Sequence, residues 1–274
     1  MSEAFQVNPS ALEDPWSVPL SELDPSQPSV FQTNNQFALF DRLRAEDPVH
    51  FHETGLFGPY WSITKFNDIM TVDKDHKRFS SDAGITLTER QADFTTPNFI
   101  SMDPPKHDVQ RKAVTGVVAP MNLSKLEPII RQRAVTILES LPHGEQFNWV
   151  DAVSIELTTQ MLATLFDFPF EDRRKLTYWS DMATSGELAG GPTPEADRRA
   201  AMLECLEYFQ RLWREREGVP PEVGIDLISM MANNPNTQDM DPMEYLGNLI
   251  LLIVGGNDTT RNSITGGLLF LSEN

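Results

Sequence analysis

Cysteine is almost missing from this chain: Cys205 is the only one in 274 residues. That excludes an internal disulfide framework and suits a reducing compartment. Basic residues are scarce as well, 22 against 40 acidic ones, for a net charge of −18. Such a surface repels phosphate backbones, so the chain is not expected to bind nucleic acid. Long apolar runs are absent too. The longest, Leu249 to Val254, falls far short of the roughly 20 residues a membrane span needs. Residues 1–30 have no basic start and no apolar stretch of signal-peptide length, only polar residues and Pro9, Pro15, Pro19, Pro25 and Pro28. The expectation is a soluble, cytoplasmic protein without a membrane span. Internal repeats and low-complexity linkers are lacking, so a single domain over 1–274 is the simplest organisation, with a tail to about residue 35 and a helical core from 36.

What the sequence does contain is mostly helical spacing. An apolar fraction of 40% and a charged fraction of 23% are ordinary for a globular protein. Residues 36–46 read as an amphipathic helix, and strands are expected near Val49–His52 and Tyr60–Thr64, with Gly55, Gly58 and Pro59 turning between them. Asn67 to Asp73 looks helical, and 81–102 is a long segment without a clear period. Asp103 followed by Pro104 resembles a helix start, with a carboxylate cap and proline at the first helical position. Helical spacing then covers about 123–141, 151–166, 171–184, 195–217, 224–233 and 241–272, interrupted by a glycine- and proline-rich break at 185–194. The fold class is mainly α with a small β element.

Two motifs carry chemistry. In Ser101-Met-Asp-Pro-Pro-Lys-His107-Asp-Val-Gln-Arg111-Lys112, His107 and Arg111 stand four apart and share a helix face near its N-terminus. Amides and the helix dipole favour an anion there, so the pair suits a carboxylate. Taken alone, the three basic residues read better as a solvated face. The second motif, Gly255-Gly256-Asn257-Asp258-Thr259-Thr260, lies inside the last helix. Two mid-helix glycines cost about 1 kcal/mol each relative to alanine. A flat group approaching the backbone would explain them. Asp258 and Thr259 compete for backbone hydrogen bonds and can open a kink, placing an acid and an alcohol where water can enter. Activating dioxygen needs protons before its O–O bond cleaves, and such a pair can relay them. A purely structural kink explains the residues equally well.

In this order the two motifs resemble those of the cytochrome P450 superfamily, from about residue 37 onward. The resemblance implies the N-terminal portion of that fold and a haem-thiolate monooxygenase that inserts one atom of O2 into an unactivated C–H bond. The string Met-Asp-Pro-Pro-x-His-x-x-x-Arg then corresponds to the helix that clamps haem propionates, making His107, Arg111, Ile100, Gly255, Gly256 and Thr259 residues against haem b, iron protoporphyrin IX. Asp258 and Thr259 become the catalytic pair. Phe79-Ser-Ser-Asp-Ala-Gly-Ile-Thr-Leu87, Phe99 to Lys112, and Gly255-Gly-Asn-Asp-Thr-Thr-Arg-Asn-Ser263 look like the bacterial terminal alkane and fatty-acid hydroxylases. That narrower resemblance implies a small apolar linear substrate, with electrons from NADH through a ferredoxin reductase and a ferredoxin. Segment 81–102 would arch over the haem, and the 185–194 break would be a mobile lid.

Substrate-facing candidates are Ile85, Leu87, Phe99, Leu251 and Val254. Leu251, Val254 or Gly255, and Asp258 or Thr259 fall on one stripe of the last helix by three- and four-residue steps. For any one apolar residue, plain core packing is the better reading. His50 and His52 share a strand face but lack a third metal ligand, so a surface strand is expected. Met230, Met231, Met240 and Met243 read as core filler, and Cys205 as a buried inert thiol. Lys106, Arg111 and Lys112 form a basic patch that an acidic ferredoxin could meet.

The departure from the family is large. A haem-thiolate enzyme needs a cysteine on iron, and that axial cysteine is absent from this chain. The family's Glu-x-x-Arg pair and its cysteine loop follow the oxygen helix, whereas Leu271-Ser-Glu-Asn274 ends within that helix without a stop signal. The expectation is a partial sequence, inactive by itself, with Leu249, Leu252, Ile253, Ile264, Leu268 and Leu269 lacking packing partners. Two other classes stay open: a haem-free helical ligand-binding protein, and a helical hydrolase using Asp258.

Overall fold

The apolar spacing at 36–46 forms a helix over just those residues in a computed structural model, which describes residues 14–87, 93–187, 191–220 and 226–274. The chain divides into two compact units, 1–90 and 91–274. In the first, α1 (Pro28–Gln32) and α2 (Gln36–Glu46) precede strands β1 (Val49–His52) and β2 (Tyr60–Ile63), and α3 (Phe66–Lys74) follows. The strands pair antiparallel, with Val49 opposite Ile63 and His52 opposite Tyr60. Leu39 and Leu43, one turn apart on α2, pack with Val18, Leu23 and Val30, so the proline-rich beginning supplies part of this small core. Asp24 ties it to the hairpin: its carboxylate accepts from the Tyr60 hydroxyl and from Gln27 Nε2, both at 2.7 Å. Burial and that bond push the Tyr60 hydroxyl pKa well up.

His52 corrects the surface-strand expectation, being only 5% exposed. Its Nε2 lies 2.8 Å from Ser62 Oγ and its ring stacks on Tyr60. Burial, and secondarily the neighbouring His50, hold its pKa below the ordinary 6.5. His50 Nδ1 sits 2.8 Å from Asp47 Oδ2. Both imidazoles therefore have protein partners, and no cluster able to hold a metal occurs among the described residues.

The second unit is helical: α4 (Lys106–Thr115), α5 (Pro120–Glu139), a π-helical turn (Val150–Ile155) running into α6 (Glu156–Phe166), α7 (Arg174–Thr184), α8 (Glu195–Arg216), α9 (Leu227–Ala232) and α10 (Pro242–Glu273). Helix α4 starts two residues later than expected, with Pro105 and not Asp103 at its cap position. A residue before proline is disfavoured in helical geometry, so Pro104 ahead of Pro105 cannot begin the helix. The expected helix at 224–233 begins at Leu227, where the Asp226 carboxylate accepts from the amides of Ile228 and Ser229. Positions 224 and 225 lie outside the described residues, as do 88–92 of the long segment and 188–190 of the break. Around that break, Gly186 bridges Thr193.

Helix α10 has a good start, with Asp241 accepting from the Met243 amide and Pro242 at its first position. It packs against α7, α6, α8 and the π turn. The core beside it gathers Leu162, Phe166, Phe168, Trp179, Met202, Cys205, Phe209 and Met231, with Met230, Met240 and Met243 packed against them. Cys205 is fully buried, and burial pushes its thiol pKa up, so it is inert as expected. No helix among the described residues is long and apolar enough to cross a membrane.

Candidate active site

Helix α10 has two faces with different work. Leu246, Leu249, Ile253 and Asn257 recur at three- and four-residue steps and are buried in the core. Gly255, Thr259, Asn262 and Gly266 form an exposed stripe on the other side. The helix runs unbroken through this stretch, which corrects the expected kink. Thr259 Oγ1 donates to the Gly255 carbonyl at 2.7 Å, and Ser263 Oγ donates likewise to Thr259. A carbonyl has two lone pairs, so these hydroxyls add to the backbone ladder rather than replace it.

The two glycines separate in role. A Cβ built at Gly255 meets nothing within 4 Å, so this position leaves space open for a flat group. One built at Gly256 would lie 2.7 Å from Leu162 Cδ2, so Gly256 serves the packing of α10 on α6 and not a cofactor. Gly255→Ala is accordingly expected to raise the stability of the folded chain by up to about 1 kcal/mol through helix propensity. Gly256→Ala should lower it by about 1–3 kcal/mol through overpacking. Denaturant unfolding of both variants checks this, and equal effects would contradict the split.

Asp258 does not share the stripe of Gly255 and Thr259, as one reading of the period allowed. Its carboxylate turns toward α7, where Arg261 Nη2 donates to Oδ1 at 2.6 Å. Arg261 Nη1 also reaches Asp181 Oδ1 at 3.0 Å, and the Ser180 hydroxyl lies 3.5 Å from Asp258. Acid and alcohol are thus neighbours in sequence on two sides of one helix, with the acid held by a guanidinium that ties α10 to α7.

His107 and Arg111 share a face of α4, as their spacing requires. His107 Nδ1 donates to the Phe99 carbonyl at 2.6 Å, so Nε2 can donate in turn only when the ring carries its second proton. Arg111 is exposed, and its guanidinium makes no ion pair among the described residues. Lys106, by contrast, is bound to Glu244 at 2.6 Å, so of the expected basic patch Arg111 and Lys112 make no ion pair among the described residues. Phe99 is buried in the core, and Ile100 and Leu251 pack against the same cluster. Val254 is half-buried. Ile85 and Leu87 belong to the first unit and are exposed there at 57% and 50%. Of the apolar stripe expected to lack partners, Leu249 and Ile253 are fully buried, while Leu268 and Leu269 are exposed.

Sequence reasoning missed Asn248 and Gln110, both buried. Asn248 Oδ1 accepts from the Phe99 amide at 2.9 Å, and its Nδ2 donates to Gln110 Oε1 at 3.1 Å. The one available signal was a lone amide at the start of the apolar run of α10.

The residues present suit the edge and distal face of a haem: open space at Gly255 for a flat ring, an alcohol on the same stripe, and an imidazole and guanidinium for carboxylates. They do not supply an axial thiolate, because the sole cysteine is sealed in the core.

No protein-family model matches the chain. It is 29% identical over 262 residues to linalool 8-monooxygenase from Pseudomonas putida, covering 91% of this chain and 64% of that protein. Among solved structures, CYP153D17 from Sphingomonas sp. PAMC 26605 is 47% identical with a TM-score of 0.79, covering 90% of this chain and 63% of that one. Cytochrome P450-153 from Novosphingobium aromaticivorans is 40% identical with a TM-score of 0.78, covering 88% and 61%. The chain therefore spans between 61% and 64% of the length of these relatives.

Proposed function

Because this chain is a homologue of the cytochrome P450s and carries the mainly α fold of their N-terminal portion, we propose that the whole protein is a haem-thiolate monooxygenase that hydroxylates the terminal carbon of linear alkanes or fatty acids. The observation carrying this reading is the open stripe of α10, where Gly255 leaves room for a ring and Thr259 stands one turn further along. When bound, haem b with a thiolate on its iron supplies the site of dioxygen activation.

The chain's own residues do the rest. Arg111 would hold a propionate as a charge-assisted donor, and His107 would join it through Nε2 with the imidazole doubly protonated. Thr259 Oγ1, on releasing the Gly255 carbonyl, would be placed to hold and pass on a proton at the open face of α10. Asp258, steadied by Arg261, takes protons from water reaching the helix beside α7 and passes them on. Ile100, Leu251 and Val254 give the substrate an apolar wall, which suits a chain without polar groups. Electrons come from NADH through a ferredoxin reductase and a ferredoxin, with Arg111 and Lys112 favouring an acidic carrier. The substrate class rests on the resemblance of the 79–112 and 255–263 segments to terminal hydroxylases.

The test is to incubate the whole protein with NADH, ferredoxin, reductase and a series of linear alkanes and fatty acids under heavy-isotope dioxygen. One labelled atom in a primary alcohol is expected. Oxidation only at internal carbons would overturn the terminal assignment, and label-free product would overturn the monooxygenase.

A further inference from the structure

Asparagine in the middle of a helix is unfavourable, and a buried amide costs more unless its hydrogen bonds are met. Asn248 nevertheless sits immediately before the apolar run of α10 at 1% exposure. Both ends of its amide are used across the fold: Oδ1 accepts from the Phe99 amide, and Nδ2 donates to Gln110. Gln110 passes the connection on, its Nε2 donating to Glu244, which also holds Lys106. From the other side, His107 on α4 grips the Phe99 carbonyl. Both backbone groups of one residue are therefore held by side chains of two different helices.

Gly247 completes the arrangement. A Cβ there would run into the carbonyl oxygens of Thr96 and Pro97, so the segment lies directly on the helix backbone. The short turn at 99–101 is closed internally by Asn98, which accepts from the Ser101 amide at 3.3 Å. That local bond shapes the turn but does not place it. Placement against α10 comes from Gly247 and Asn248, and His107 holds the same residue from α4.

We propose that Asn248 is a positioning residue that sets substrate selectivity: by fixing the Phe99 backbone against α10, it determines where Phe99 and Ile100 stand, and hence how far a linear chain enters beside Thr259. This rests on the monooxygenase reading above for its substrate, though not for the placement itself. A merely structural amide would affect stability and leave selectivity untouched.

The experiment uses the haem-loaded whole protein with Asn248→Leu, Asn248→Ser and Asn248→Asp. Leucine is near in size but makes neither bond, serine is too short to reach Phe99, and aspartate keeps the acceptor. Hydrogen exchange at the Phe99 amide should quicken about tenfold in the leucine and serine variants and stay near the parent in Asn248→Asp. The ratio of terminal to subterminal alcohol should move about threefold or more in the same two variants, and remain parent-like in the third. Should the leucine variant fail to fold, the serine variant carries the comparison. Unchanged exchange overturns the placement, and faster exchange with an unchanged product ratio overturns the selectivity role. If the parent itself gives no product, the functional reading fails while the exchange result still judges the placement.

Discussion

Asp258→Asn in the haem-loaded whole protein is expected to lower turnover by about 10²–10⁴-fold, the contribution of a positioned proton relay. The substrate dissociation constant should stay within about threefold, because the relay acts only once the oxygen reaction is under way. Asparagine preserves the shape at this position and can still accept from Arg261, which also keeps its partner Asp181. What it loses is the capacity to take up and release a proton. The position of the carboxylate sharpens the expectation. It faces α7, away from the exposed stripe that holds Thr259, so in the proposed relay the two groups act from different sides of α10. Rapid-mixing measurements of single turnovers, with a solvent isotope effect, read this directly. An unchanged rate with no enlarged isotope effect would contradict the relay.

The second large effect belongs to α4. His107→Ala combined with Arg111→Ala removes two propionate contacts, each worth roughly 1.5–3 kcal/mol with the imidazole doubly protonated. The haem dissociation constant should therefore rise by about two to four orders of magnitude. His107 also grips the Phe99 carbonyl, so its loss disturbs the neighbouring segment as well as the cofactor edge. Arg111→Ala alone separates the two, since that guanidinium makes no ion pair among the described residues. It should weaken haem retention with Phe99 exchange unchanged. Equal haem content after gel filtration in parent and double variant would refute the clamp.

Much of this was legible locally. Residues 36–46 and the pairs Val49–His52 and Tyr60–Ile63 declare themselves because their periods and turn residues act over a few positions. Aspartate and proline at 241–242 mark the start of α10 for the same reason. The misses have a common cause in contacts between distant residues. Gly256 looked like Gly255 until Leu162 was found against it. Asn248 gave only the oddity of an amide among apolar residues, because its partners Phe99 and Gln110 lie 149 and 138 positions away. The π-helical turn at Val150–Ile155 runs straight into α6 with no break in the chain to announce it, and it packs against α10 and α5. The direction of Asp258 was likewise beyond the period alone, since two helical stripes pass one residue apart and Arg261 decides between them.

Reducing the whole protein under carbon monoxide gives the most direct reading of whether α4 and α10 serve a thiolate-ligated haem. A thiolate-type carbon monoxide spectrum is expected, with haem bound in proportion to protein. A histidine-type spectrum, or a haem-free preparation that still binds linear alkanes, would contradict it.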